Sequence, residues 1–145
     1  MIAVSQIASV LGGETILHEK VRSPNDLRLL IEKGLPKKSV VHVFSQLFEK
    51  SSESRSHFYE LIPEATFKRR KDRLKMDESE KVERIARVIA TALYVWDNDE
   101  EQLRVFFLFP HSEFNDKTPL DICRTELGAR QVEEILWKIF YGISS

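Results

Sequence analysis

Hydrophobic residues recur every three or four positions along most of this chain, which is the period of an amphipathic α-helix. A short helix is predicted from Ser23-Pro24 to Gly34, because serine caps helices, proline starts them and glycine ends them. A second is predicted to begin at Leu35-Pro36, with an apolar side that comprises Val40, Val41, Phe44, Leu47 and Phe48. The pattern therefore predicts an all-α protein.

The longest helical pattern opens at Met76 with acidic residues in its first turn, which favour the helix dipole, and runs to about Trp96. Asp97-Asn98-Asp99 then breaks the pattern before another amphipathic segment. Of the large aromatic residues in this half, we expect four to lie in the core: Trp96, Phe106, Phe107 and Trp137.

The end of the chain predicts a helical hairpin. Thr118 can cap a helix that Pro119 begins and that we expect Gly128 to end. A last helix then closes at Gly142, and its predicted apolar face comprises Val132, Ile135, Leu136, Ile139 and Phe140.

Two short helices in the middle of the chain suggest a helix-turn-helix. Ser51 to Ser54 reads as a polar break, after which apolar residues return at helical spacing until Pro63 forces a new start. The second helix is predicted from Glu64 to about Leu74, with Phe67 and Leu74 as its buried anchors. Its other positions are rich in lysine and arginine, as in a recognition helix.

Composition narrows the class of protein. The chain has 145 residues, of which 42% are hydrophobic and 31% charged, as in a globular protein. Its longest apolar run, Val105 to Phe109, is too short to span a bilayer and the start lacks a signal-peptide pattern, so a cytoplasmic location is expected. The single cysteine, Cys123, is expected to pack in the core. The histidines show no metal-ligand spacing, so no metal or cofactor is predicted.

Charge is unevenly divided along the chain. Residues 1–75 carry 14 Lys and Arg against 9 Asp and Glu, whereas residues 76–145 carry 8 against 14. The basic half suits an anionic partner such as DNA, and the acidic half suits a different partner.

Three residue sets, taken together, resemble the Xre/MbcA/ParS antitoxins. The first is Thr66, Phe67, Arg69, Arg70 and Lys71, and the second is Asp77, Glu78, Ser79, Arg84, Ile85, Ala86, Arg87 and Val88. The third comprises Pro110, Phe114, Thr118, Pro119, Leu120, Ile122, Thr125, Gly128, Val132, Glu133, Leu136, Ile139 and Gly142. The chain departs from the family pattern at Asn115-Asp116, where glycine is usual.

The resemblance implies an antitoxin of a type II toxin–antitoxin system, without enzymatic activity of its own. It would form a homodimer, bind its own promoter DNA and block a toxin, usually a RES-domain enzyme that degrades NAD. The implied organisation is a segment of unknown role over residues 1–22, a helix-turn-helix domain over 23–75, and a long helix with a toxin-binding domain over 76–145.

The predicted binding residues fall into two groups. The DNA-binding group comprises Lys37, Lys38, Thr66, Lys68, Arg69, Arg70, Lys71 and Arg73. The toxin-binding group, on the last helix and the tail, comprises Arg130, Glu134, Lys138, Tyr141, Gly142, Ile143, Ser144 and Ser145.

Two other functions are open at this point. The chain could be a stand-alone repressor whose second domain serves dimerisation or ligand sensing. It could also be an enzyme, but Cys123 has no readable histidine partner, and Glu100-Glu101 and Glu133-Glu134 lie on predicted helix surfaces.

Overall fold

The computed structural model of the chain describes residues 2–142, which form α-helices and contain no strand. The helices are α1 (Val4–Val10), α2 (Gly13–Leu17), α3 (Pro24–Lys33), α4 (Lys37–Ser45), α5 (Ser51–Leu61), α6 (Glu64–Arg69), α7 (Met76–Val95), α8 (Glu100–Leu108), α9 (Pro119–Ile122) and α10 (Glu126–Tyr141). A 3₁₀ turn spans Ser112–Phe114. The all-α prediction is confirmed.

Helix α7 lies at the centre of the molecule. It packs against α1, α3 and α4 on one side and against α8 and α10 on the other. Its length follows from a long run without glycine or proline, and its apolar residues surround most of its circumference. The buried apolar side chains of this helix are Val82, Ile85, Ala86, Val88, Ile89, Ala90 and Ala92.

The helix caps predicted at Ser23, Thr118 and Gly142 are present. The side-chain oxygens of Ser23 and Thr118 each accept a hydrogen bond of 3.1 Å, from the backbone N–H of Asp26 and Asp121. Gly142 ends α10 in the left-handed conformation that glycine adopts most readily. Each side-chain cap stabilises its helix by about 1 kcal/mol, so the sequence fixes these ends locally.

The first two helices belong to the core. Val10, Leu11 and Leu17 are almost fully buried, and α1 lies directly against α7. The side-chain amide of Gln46, which follows α4, donates a 3.0 Å hydrogen bond to the carbonyl oxygen of Val10. The segment whose role could not be predicted therefore contributes to packing.

The helix limits predicted at Ser51 to Ser54 and at Gly128 are wrong. Ser51 to Ser54 is the first turn of α5 rather than a break, because the buried Ser54 hydroxyl donates to the Phe44 carbonyl oxygen at 3.3 Å. Gly128 lies inside α10 rather than at the end of α9. Thr125 caps α10 by accepting from the Gly128 N–H at 2.9 Å.

Three residues predicted on buried helix faces are exposed. Val41 of α4 and Ile139 and Phe140 of α10 are each more than two-fifths accessible. Helix α10 packs on α7 through Ala129, Val132 and Leu136, and α7 ends at Val95, beside the last turn of α10. Within residues 2–142, the final turn of α10 lies at the end of α7 and is only partly covered.

None of the described helices combines the length and the apolar character needed to cross a bilayer.

Candidate functional site

Helices α5 and α6 form the predicted pair of short helices, joined through Ile62 and Pro63. The Phe67 ring of α6 contacts the Phe58 and Tyr59 rings of α5, with centroid distances of 5.2 and 6.0 Å. Aromatic contacts of this kind hold the short α6 in place, because an isolated helix of this length is unstable.

Helix α6 ends at Arg69, five residues before its predicted end near Leu74. The chain then runs extended beside the turn between α3 and α4. The Lys37 N–H donates to the Asp72 carbonyl oxygen at 2.9 Å, and the Leu74 N–H donates to the Leu35 carbonyl oxygen at 2.8 Å. These long-range bonds replace helical ones and bring Leu74 into the core.

Three of the predicted DNA contacts are engaged within the fold. Arg70 donates to both carboxylate oxygens of Glu78, at 2.9 and 2.7 Å. Arg73 donates to the Gly34 carbonyl oxygen at 2.7 Å. The Lys37 ammonium donates to the Arg70 carbonyl oxygen at 3.0 Å and lies 4.5 Å from the centroid of the Phe67 ring. These side chains fix the end of α6.

The other predicted DNA contacts lie towards solvent. Lys38, Lys68, Arg69 and Lys71 are exposed, and we call these four residues the basic face. An isolated antiparallel bridge between Pro36 and Arg73 brings together the chain segments that carry Lys38 and Lys71. Lys68 pairs with Glu64 at 2.7 Å across an exposed turn, an ion pair of small energy. Half-buried Thr66 lies beside Arg69, 3.4 Å from its guanidinium.

Arg87 of α7 connects the second residue set of the family pattern, to which it belongs, with Glu133 of the third set. Its guanidinium contacts Glu83 at 3.4 Å, Glu126 at 2.8 Å and Glu133 at 3.0 Å. Burial opposes the charge on Arg87, but the hydrogen bonds to Glu126 and Glu133 outweigh it and raise the pKa of the guanidinium. Burial also raises the pKa of the Glu83 carboxyl.

Arg124, which follows α9, connects this part of the chain to α7 and to α5. The Arg84 guanidinium donates to the Arg124 carbonyl oxygen at 2.9 Å, and the Arg124 guanidinium pairs with Glu60 of α5. Cys123 is buried beside this network, as expected, and burial raises the pKa of its thiol. Gly128 permits the close approach of α9, because a Cβ atom there would lie 1.9 Å from the Ile122 carbonyl oxygen.

The predicted toxin-binding residues of α10 share its outward face. Arg130, Glu134, Lys138 and Tyr141 follow one another at intervals of three or four positions, and Glu134 pairs with Lys138 at 3.6 Å. Gly142 caps the helix next to them. The predicted contacts Ile143, Ser144 and Ser145 lie outside the described residues.

An exposed group of aromatic rings, which the sequence analysis did not identify, adjoins this face. We call Tyr94, Trp137, Phe140 and Tyr141 the aromatic cluster. The Tyr94 centroid lies 5.7 Å from Trp137 and 5.3 Å from Phe140, and the Phe140 and Tyr141 centroids are 5.1 Å apart. Trp137 was expected in the core, but it is half-buried in this cluster and does not pack on the hydrophobic core.

The other large aromatic residues are better predicted. Phe106 and Phe107 are buried as expected, and Trp96 is half-buried against Phe106 at a centroid distance of 5.2 Å. The signal for the aromatic cluster was present in the sequence as consecutive Phe140 and Tyr141 near a helix end. Tyr94 could be added to it only once the packing of α7 on α10 was known.

A cleft of about 470 Å³ lies between α9 and α10 and is lined in part by Ile122, Leu127 and Gln131. Across residues 2–142, no three side chains of His, Cys, Asp or Glu come together as a metal site.

The fold and its two exposed surfaces define a class of all-helical proteins that join a helix-turn-helix unit to a second helical binding unit. Residues 26–87 match the Antitoxin Xre-like helix-turn-helix domain, and residues 91–142 match the Antitoxin Xre/MbcA/ParS C-terminal toxin-binding domain. The chain belongs to the Xre/MbcA/ParS family of antitoxins. No curated protein matches it in sequence.

The two domains support a DNA-binding antitoxin that neutralises a toxin, and the family is not typically enzymatic. The arginines of the second motif, Arg84 and Arg87, have a structural role here, since both contact the start of α10. Helix α7 therefore holds in place the last helix of the region that matches the toxin-binding domain.

The ion pair between Glu78 and Arg70 should make the stability of the fold depend on pH in the acid range. Hydrogen bonds from Arg70, and then from the Lys75 N–H, hold the pKa of Glu78 below its ordinary value. A lowered pKa stabilises the fold above the pKa of the unfolded state, about 4.3, and this contribution disappears as pH falls through the folded value. The stability difference between the wild type and Glu78→Gln should therefore shrink below about pH 4.3.

Urea unfolding at several pH values between 7 and 3 measures this difference, and exposed Glu80→Gln serves as the control. A difference that is the same at every pH would show that the charge of Glu78 does not stabilise the fold.

Proposed function

We propose that the chain neutralises a cognate RES-domain toxin that degrades NAD, and that it represses its own operon by binding promoter DNA. The observation that carries this proposal is that each matched domain keeps a surface free of core packing. These are the basic face in the first domain and the outward face of α10 in the second.

The basic face supports DNA binding through its position at α6. Lys68 and Arg69 extend from the last turn of α6, and Lys38 and Lys71 flank its end. Lysine and arginine bind phosphates and pair with guanine in the major groove, where the second helix of such a motif enters. We assign Lys37, Arg70 and Arg73 to positioning of α6 instead, because their polar groups contact the protein.

The face of α10 supports toxin binding through its rigidity. Its residues stand on a helix clamped to α7 by the contacts of Arg87 with Glu126 and Glu133. A partner that binds this face meets preorganised side chains and immobilises few of them. We propose that Arg130, Glu134, Lys138 and Tyr141 contact the toxin, together with the residues from Gly142 to the chain end.

The alternative is a stand-alone repressor whose second domain serves dimerisation or sensing. The match of residues 91–142 to a toxin-binding domain favours the antitoxin. Dimerisation is part of either proposal, because two copies could bind two half-sites of an operator. Neutralisation of a toxin encoded beside the gene distinguishes them.

Removing the basic face should weaken DNA binding and reduce its salt dependence. The triple variant Lys68→Ala, Arg69→Ala, Lys71→Ala should bind the promoter upstream of its gene less tightly. The slope of log affinity against log salt should fall by about 2 to 3, since each lost phosphate contact removes about 0.9. Fluorescence anisotropy across salt concentrations measures both quantities.

The double variant Lys20→Ala, Lys81→Ala is the control, since it removes exposed positive charges outside the basic face and should leave the salt slope unchanged. If the triple variant keeps the wild-type slope, the basic face does not bind DNA.

Reversing the charges on the α10 face should abolish neutralisation. The double variant Arg130→Glu, Glu134→Lys, which keeps the net charge, and a second variant without Tyr141 to Ser145, should fail to restore growth and cellular NAD when each is co-expressed with the product of the adjacent reading frame. The physical reason is lost charge and shape complementarity at a protein interface.

The control reverses two exposed lysines outside α10, Lys20→Glu and Lys81→Glu, and should neutralise as well as the wild type. Full rescue by both α10 variants would exclude this face from the toxin interface. A harmless neighbouring product would instead favour the repressor.

A further inference from the structure

The aromatic cluster is a connected group of four rings on the surface of the second domain, and three of them are exposed. Tyr94 is 46% exposed, Phe140 43% and Tyr141 67%. Single exposed apolar residues are ordinary on protein surfaces, whereas contiguous exposed patches mark interaction sites. The contacts among these rings therefore indicate a binding surface.

The cluster is held rigidly from two elements. Tyr94 comes from the last turn of α7, whose end is fixed by a 2.7 Å hydrogen bond from the Asn98 N–H to the Leu93 carbonyl oxygen. Trp137, Phe140 and Tyr141 come from the last turns of α10. Aromatic side chains on fixed backbones lose little conformational entropy on binding, and Trp and Tyr are enriched among residues that dominate binding energy.

The charges around the cluster indicate its partner. Four exposed acidic residues follow α7 directly: Asp97, Asp99, Glu100 and Glu101. Two basic residues accompany them: Arg104 lies 3.9 Å from Glu100, and Lys138, which follows Trp137, pairs with Glu134 at 3.6 Å. Two copies that met symmetrically through their clusters would bring these acidic borders together, because such an interface uses the same patch twice. A partner with basic residues around an apolar socket is complementary to this surface.

We propose that the aromatic cluster anchors the toxin, with Tyr94 and Phe140 seated in an apolar socket that basic residues of the toxin surround. This inference rests on the proposed function and adds to it a second helix, α7, and a specific chemistry for the partner. The cluster adjoins the α10 face at Tyr141, so one partner surface reaches both.

The test measures binding of the full-length chain to the purified product of the adjacent reading frame by isothermal titration calorimetry, at low and high salt. Tyr94→Ala, Phe140→Ala and Tyr141→Ala should each raise the Kd by about tenfold or more, as expected of buried aromatic anchors. Wild-type binding should weaken with salt. Leu29→Ala on α3 and Phe109→Ala at the end of α8, both exposed and outside the cluster, should bind like the wild type.

Thermal unfolding of each variant separates loss of binding from loss of folding, and the most exposed residue, Tyr141, gives a variant with little effect on stability. If the wild type binds and the three variants bind equally well, this inference is wrong while the proposed function stands. If the variants instead abolish self-association and retain toxin binding, the cluster is a dimer interface and the inference is also wrong. Failure of the wild type to bind overturns both proposals.

Discussion

Burial of α7 between the two halves of the molecule is the constraint on which the rest of the structure depends. Val82, Ala86, Val88 and Ile89 are inaccessible to solvent, and both halves pack on this one helix. The helix-turn-helix match ends within it and the toxin-binding match begins within it. The two domains therefore share a hydrophobic core, and neither can lose α7 without exposing its own apolar face to water.

Ionic contacts along α7 determine where the exposed surfaces lie. Near its amino end, Glu78 binds Arg70 and fixes the end of α6, and further along Arg87 binds Glu126 and Glu133 and fixes the start of α10. Removing one member of a partly buried pair leaves the other charge without its partner, which costs more than losing an exposed pair. The positions of the basic face and of the α10 face thus both depend on α7.

The sequence predicts those features that local chemistry determines. The caps at Thr118 and Gly142 and the extent of α7 follow from neighbouring residues, and each is confirmed. The end of α6 does not, because it depends on hydrogen bonds to residues over thirty positions away, such as that of Leu74 with Leu35. The basic composition of the candidate site could be predicted because it is read directly from the sequence. That Arg70 pairs with Glu78 and Arg73 with Gly34 could be known only from the fold.

Native-state hydrogen exchange with increasing urea tests most directly whether the two binding surfaces stand on one cooperative unit. Because both halves need α7, the slowest amides of α4 and α5 and those of α8 and α10 should converge on one opening free energy and one denaturant dependence. Exchange of one half through a separate unfolding event, while the other half and α7 remain protected, would contradict a shared cooperative unit.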